Sequence, residues 1–224
     1  TFFMNKIYGA AAAAVIAPAA AGPSLAAGPQ ATVQVLGTLE VPGCEVTQDD
    51  SSNVYDFGSL ESSLIKPGTA TNTLTDRAIE KTWTIRCDGL TYLTYKVTDH
   101  EAGNSSPATA TQFGLGKVNG DKNIGYYEVL MSGATVDAGN VTDISARVFA
   151  TTGTGISGQT SVSLDRGRTM GWSKDDFNEL IAAETFRAKF KVTPTLNGTQ
   201  TMGGPITENI VLDGALTLDF AFGL

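Results

Sequence analysis

The chain has 224 residues, with 15 Lys and Arg against 23 Asp and Glu and a formal charge of -8 at pH 7. That balance argues against a phosphate-binding surface, which needs clustered cations, so no nucleic acid partner is expected and the acidity reads as solubility. The length suits one domain with a real core, and 25 glycines among abundant Thr, Ser, Val and Ala favour many short strands joined by turns.

Residues 1–26 read as an export signal. Met4 and Lys6 open it behind Thr1-Phe2-Phe3, an apolar stretch runs from Ile7 through Ala21, and Ser24-Leu25-Ala26 supplies the small residues of a cleavage site after Ala26. Pro18 and Pro23 interrupt the stretch, which is short for a membrane span. Export would carry Cys44 and Cys87 into an oxidising compartment. A disulfide between them is therefore expected, worth about 4 kcal/mol by chain entropy. Two thiols and a single His do not complete a structural zinc set, so neither metal nor cofactor is expected.

The mature chain reads as strand after strand. Ala31, Val33, Val35, Gly37, Leu39 and Val41 share one face of a first alternating segment, which Pro42-Gly43 ends before Cys44-Glu45-Val46. Residues 54–58 are short and extended. Residues 59–78 form a Ser/Thr/Pro-rich loop with Leu60, Leu64 and Ile65 tucked in. Residues 81–87 make an amphipathic strand with Trp83, Ile85 and Cys87 on one face, Asp88-Gly89 signals a turn, and residues 92–97 resume. A polar connection over 99–110 leads to residues 113–116, a hairpin at Asn119-Gly120-Asp121 and a strand over 124–131. Further strands fall at 144–151, 159–164, 185–195 and 208–212. The one predicted helix covers 173–183, with Ser173 as N-cap, Asp176 three residues on, and Phe177, Leu180 and Ile181 along one side. The chain closes on an alternating strand in which Leu216, Leu218, Phe220 and Phe222 share a face.

Eight or more strands at this spacing describe an all-β, immunoglobulin-like β-sandwich with one short helix; a jelly roll fits the spacing equally. No catalytic residue is assigned and no enzyme is expected. His100 lies in the polar turn Thr98-Asp99-His100-Glu101, and no Gly-x-Ser-x-Gly elbow accompanies it. Residues 121–125 read as a turn rather than a calcium loop, since the closing Glu is missing at the expected spacing. Trp172 and Tyr126-Tyr127 have the chemistry to stack on sugars but read first as core aromatics.

The ordered layout is more informative than any single motif. An extended N-terminal segment precedes Gly37-Thr38-Leu39-Glu40-Val41-Pro42-Gly43-Cys44. The second cysteine closes the strand Trp83-Thr84-Ile85-Arg86-Cys87, and the chain finishes in an alternating strand with aromatics at its end. Over most of the mature length this resembles a pilin subunit of the chaperone–usher class of Gram-negative bacteria. The resemblance implies an incomplete sandwich (42–224) whose hydrophobic groove is filled first by a periplasmic chaperone and then by the N-terminal extension of a neighbouring subunit. It makes 27–41 that donor-strand extension, with Ala31, Val33, Val35 and Gly37 as the groove-filling residues. It makes Leu216, Leu218, Phe220 and Phe222 the inward residues of the strand that borders the groove and pairs with the chaperone. Phe222 is followed by Gly223 and Leu224, so the aromatic is displaced from the family's usual penultimate place. The partners implied are the periplasmic chaperone, the outer-membrane usher and other pilin subunits, with export through the periplasm to a fimbrium on the cell surface. The alternative function is a fimbria-associated adhesin or a self-contained secreted β-sandwich that binds carbohydrate or protein.

Overall fold

The computed structural model describes residues 36, 42–48, 52–102, 107, 109–175 and 178–223. The chain divides into two units, Thr1–Leu39 and Glu40–Leu224, and every described strand belongs to the second. The expected signal (1–26) and the donor residues Ala31, Val33, Val35 and Gly37 lie outside the described residues.

The strands in chain order are β1 (Cys44–Gln48), β2 (Asn72–Thr73), β3 (Ile79–Asp99), β4 (Phe113–Gly114), β5 (Lys117–Val118), β6 (Lys122–Asn123), β7 (Gly125–Ala138), β8 (Val141–Thr151), β9 (Ser161–Ser163), β10 (Thr169–Lys174), β11 (Ala182–Leu196) and β12 (Leu216–Phe222). The all-β expectation holds: the helical turns among the described residues are two 3₁₀ turns of 3 residues each, Ser62–Leu64 and Thr75–Arg77. β11 shows why these sequences form strands. Phe186, Ala188, Phe190 and Val192 are buried while Lys189 and Lys191 between them are exposed, the period of two that a sheet with one core face requires.

The ladder is antiparallel and returns on itself. β3 pairs with β11, β11 with β7, β7 with β8, β8 with β10, and β10 again with β3, a barrel-like closure. β3 makes this possible. On one edge it carries β11 along its first half and β10 along residues 94–96; β1 and β12 pair with residues 83–87 and 93–99. The turn expected at Asp88-Gly89 is not a turn. β3 runs through it as one strand of 21 residues. The pair Ala183↔Thr91 is followed by Thr185↔Arg86, so residues 87–90 bulge opposite the single Glu184. Turn-favouring residues thus bend the strand without ending it. The bulge is tied down at once. Gly43 N donates to Asp88 Oδ1 at 2.9 Å, Asp88 N donates to Gly43 O at 3.0 Å, and Cys44 is disulfide-bonded to Cys87 across a sequence separation of 43.

The helix expected over 173–183 is absent among its described residues. Ser173 lies in β10 opposite Arg147 and fully buried, not at a cap, and its Oγ has no hydrogen-bond partner among the described residues. Lys174 N donates to Glu179 O at 2.9 Å and Ser173 bridges Leu180, cross-strand contacts on either side that a helix would not make. Cross-strand pairing overrides the local capping signal, which is a weak preference by comparison. Residues 208–212 also form no strand, and 54–58 run outside every ladder. The hairpin at Asn119-Gly120 is present between β5 and β6, with both residues at positive φ (47° and 90°).

The core is an aromatic chain. The Tyr95 ring lies 6.0 Å from Trp172, 6.5 Å from Phe190 and 5.6 Å from Phe220. Trp172 lies 5.4 Å from Phe186, and Phe190 lies 5.4 Å from Trp83. The two polar atoms this buries are satisfied: the Tyr95 hydroxyl donates to Met131 Sδ at 2.9 Å and Trp172 Nε1 donates to Arg187 O at 2.9 Å. Burial alone drives the Tyr95 phenol pKa upward.

Arg187 closes the β7 end of the ring with a fork of 2.7 and 2.6 Å onto the two oxygens of Asp137, which also accepts Asp143 N at 2.9 Å. The Arg187 hydrogen bonds lower the Asp137 pKa from 3.8 to about 2. A depressed carboxylate pKa contributes stability that is fully present above the unfolded value and is lost as pH falls through the folded one. Asp137→Asn should therefore cost about 1–3 kcal/mol in urea unfolding at pH 7. The gap from wild type should shrink as pH is lowered from 3.8 toward about 2. Replacing both cysteines by serine should lower unfolding free energy by about 4 kcal/mol, the same loss that reductant produces in the parent chain.

Candidate functional site: an apolar groove beside the last strand

The last strand is placed by its register. Leu216 pairs with Asp99, Leu218 with Val97, Phe220 with Tyr95 and Phe222 with Leu93. The approach to it is close. Asp213 N donates to Leu115 O at 3.0 Å, and a Cβ on Gly214 would lie 2.7 Å from both Gly114 O and the Tyr127 ring, so the residue there has no room for a side chain. Beyond the strand, Gly223 adopts a positive φ of 79° and donates its N–H to Tyr92 O at 2.9 Å, while the buried Thr94 hydroxyl donates to Gly223 O at 2.5 Å. Among the described residues β12 pairs with β3 alone, which leaves its other edge without a ladder partner there.

Beside β12 lies a groove of about 370 Å³. Leu216 and Leu218 form one wall. Trp83 from β3, Phe190 and Val192 from β11, and Tyr127 and Val129 from β7 form the floor. Val54, Tyr55 and Phe57, from the stretch outside the strands, complete the lining. The surface is mostly hydrophobic, and two of its polar groups bond each other: Trp83 Nε1 donates to the Tyr55 hydroxyl at 3.0 Å, which donates to Phe190 O at 3.3 Å. The Tyr127 phenol pKa is raised by burial first, and by the charges of Asp99 and Glu101 after it. Among the described lining residues the titratable side chains are Tyr55 and Tyr127, and the rest of the lining is mostly apolar.

The four C-terminal residues singled out by sequence are thus divided by the structure. Leu216 and Leu218 line the groove, Phe220 packs on Tyr95, and Phe222 is 46% exposed. Cys44 and Cys87 form the disulfide that was expected. His100 is exposed and shares a hydrogen bond of 2.7 Å with Thr217 Oγ1 across the ladder. Of the aromatics with sugar-stacking chemistry, Trp172 and Tyr127 are buried and Tyr126 is half-buried. Among the described residues no group of three His, Cys, Asp or Glu side chains could hold a metal ion. Sequence reading missed the 53–57 wall, although Tyr55 and Phe57 flank Asp56 with the period of a half-buried strand. It also missed the ion pair of Arg166 with the buried Asp99, 3.3 Å, in which Arg166 further donates to Thr109 O at 2.7 Å and holds the connection after β3.

A scan against protein-family models and a search of curated proteins each give no match.

The division within β12 is measurable. Phe220→Ala should cost about 2–3 kcal/mol, since it empties a place beside Tyr95, whereas Phe222→Ala should change stability by less than about 0.5 kcal/mol. Denaturant midpoints of the two single variants check this directly.

Proposed function

We propose that the chain is an exported pilin subunit of the chaperone–usher class, assembled into a fimbrium by donor-strand exchange. The observation that carries the reading is a strand edge without a ladder partner, among the described residues, beside a hydrophobic groove. Such an edge is an aggregation hazard unless a strand covers it, and a chaperone followed by a neighbouring subunit supplies that cover. The occupant in the polymer is the 31–37 segment of a second copy. Its Ala31, Val33, Val35 and Gly37 alternate with Thr32, Gln34 and Leu36, so backbone atoms pair with β12 while the first set enters the groove. Burying two valines and smaller groups contributes about 3–6 kcal/mol gross, before ordering costs. A durable fibre therefore also depends on the ladder hydrogen bonds and on slow exit.

In this reading the closed ring is an immunoglobulin-like sandwich that lacks one edge strand, with β3 and β8 passing between its two faces. The thiol pair locks the point from which the donor segment departs. The chaperone pairs with β12 in the periplasm and the usher passes the subunit outward. No catalysis is involved.

Deleting residues 27–38 tests the reading. The truncated subunit should still co-purify with the periplasmic chaperone and should fail to fill the groove of a neighbour, so fibres are lost at the cell surface. Polymerisation at the wild-type level by the truncated chain would sink the donor-strand assignment.

A further inference from the structure

Resting on that reading, we propose that Tyr55 is the latch of the groove: it ties the lining stretch 53–57 to β3 and β11 and sets how fast a donated strand enters and leaves. The wall, residues 53–57, belongs to no strand, so it lacks the regular ladder that fixes β12. Its attachment runs through side chains. The Tyr55 hydroxyl accepts Trp83 Nε1 at 3.0 Å and donates to Phe190 O at 3.3 Å, joining the wall to β3 and β11 in one atom. Lys81 reinforces it, with Nζ 5.3 Å from the centre of the Tyr55 ring and donating to Ser52 O at 3.1 Å.

All three residues of this hydrogen-bonded chain line the groove. The bonds that hold the wall are therefore made at the surface a donated strand must cover, and a strand that pushes between the wall and β12 strains them first. A Tyr at this place supplies both an apolar ring for the incoming side chains and a polar tip that resists opening. Removing the hydroxyl keeps the ring and the cation contact and releases both bonds, with Trp83 losing the acceptor for its indole N–H. The barrier to entry and to exit should fall together, so rates change more than affinity does.

The test uses the full chain, wild type and Tyr55→Phe, with a labelled synthetic peptide of residues 27–41 followed by stopped-flow fluorescence. The expected result is that the peptide binds both chains. Association and dissociation are each at least about five-fold faster in the variant, the low end of what releasing two part-buried hydrogen bonds produces. The equilibrium constant should shift less than either rate, and the thermal midpoint should hold. Without peptide, the tryptophan emission of the variant should shift, since Trp172 is fully buried elsewhere and Trp83 alone loses a partner. Equal rates in the two chains, with the peptide bound by both, overturn the latch and leave the donor-strand reading standing. A variant whose rates change only in step with a fall in thermal midpoint also overturns it, because Tyr55 is then merely structural. Peptide that binds neither chain overturns the donor-strand reading and the latch with it.

Discussion

The continuous ladder along β3 is the constraint on which the other elements depend. One strand has to serve β11 and β10 on one edge and β1 and β12 on the other, and a flat ribbon cannot turn from one set of partners to the next. The bulge at residues 87–90 supplies the bend. Because a bulge leaves backbone groups out of the ladder, it needs external support, and Asp88, Gly43 and the Cys44–Cys87 bond provide it at the same place. The disulfide is therefore best understood as support for a bend in the most connected strand.

The groove follows from the same geometry. Past the bulge, Tyr95 enters the core and gathers Trp172, Phe190 and Phe220 around one ring, which fixes the inner face of β12. Phe190 reaches back to Trp83 and so carries the aromatic chain under the open space beside the strand. A floor of this kind is rigid because large rings interdigitate at crystal-like density. Residues 53–57 lie outside every ladder; Tyr55 and Phe57 pack against the core, and the Tyr55 hydroxyl adds bonds to Trp83 and Phe190. One side of the groove is thus set by a strand ladder and the other by side-chain packing and hydrogen bonds.

Much of this was legible in the amino-acid order, and the failures have definite causes. Alternation in 185–195 marked a strand and its buried face, the case in which period two is sharpest, and alternation in 216–222 marked a strand whose inner face is half-buried as far as Phe220. The Asn119-Gly120 turn was legible because few residues tolerate its backbone. Asp88-Gly89 misled because the same residues serve a turn and a bulge, and only the partner strand decides which. Ser173 misled for a related reason: a serine ahead of acidic residues suits a helix start, but the β8 ladder and the bridge to Leu180 claim it. The groove wall at 53–57 left a faint trace, since its contacts come from Trp83 and Phe190, residues far away in sequence. Long-range hydrogen bonds of that kind have no local signature.

The register of β12 bears on symmetry. Asp219 is the central residue of Leu216–Phe222, and its carboxylate accepts the Thr98 hydroxyl at 2.7 Å on the outer face. If two copies met edge to edge along this strand, antiparallel and in full overlap, each Asp219 would face its own twin. Like charges directly opposite one another in a ladder are unfavourable, and the penalty acts on the two-fold arrangement alone. A two-fold pairing closes on itself and ends growth, whereas a head-to-tail contact leaves a new edge exposed at every addition. The charge at the midpoint of the strand therefore weighs against the dead-end dimer and leaves the edge open to a different sequence.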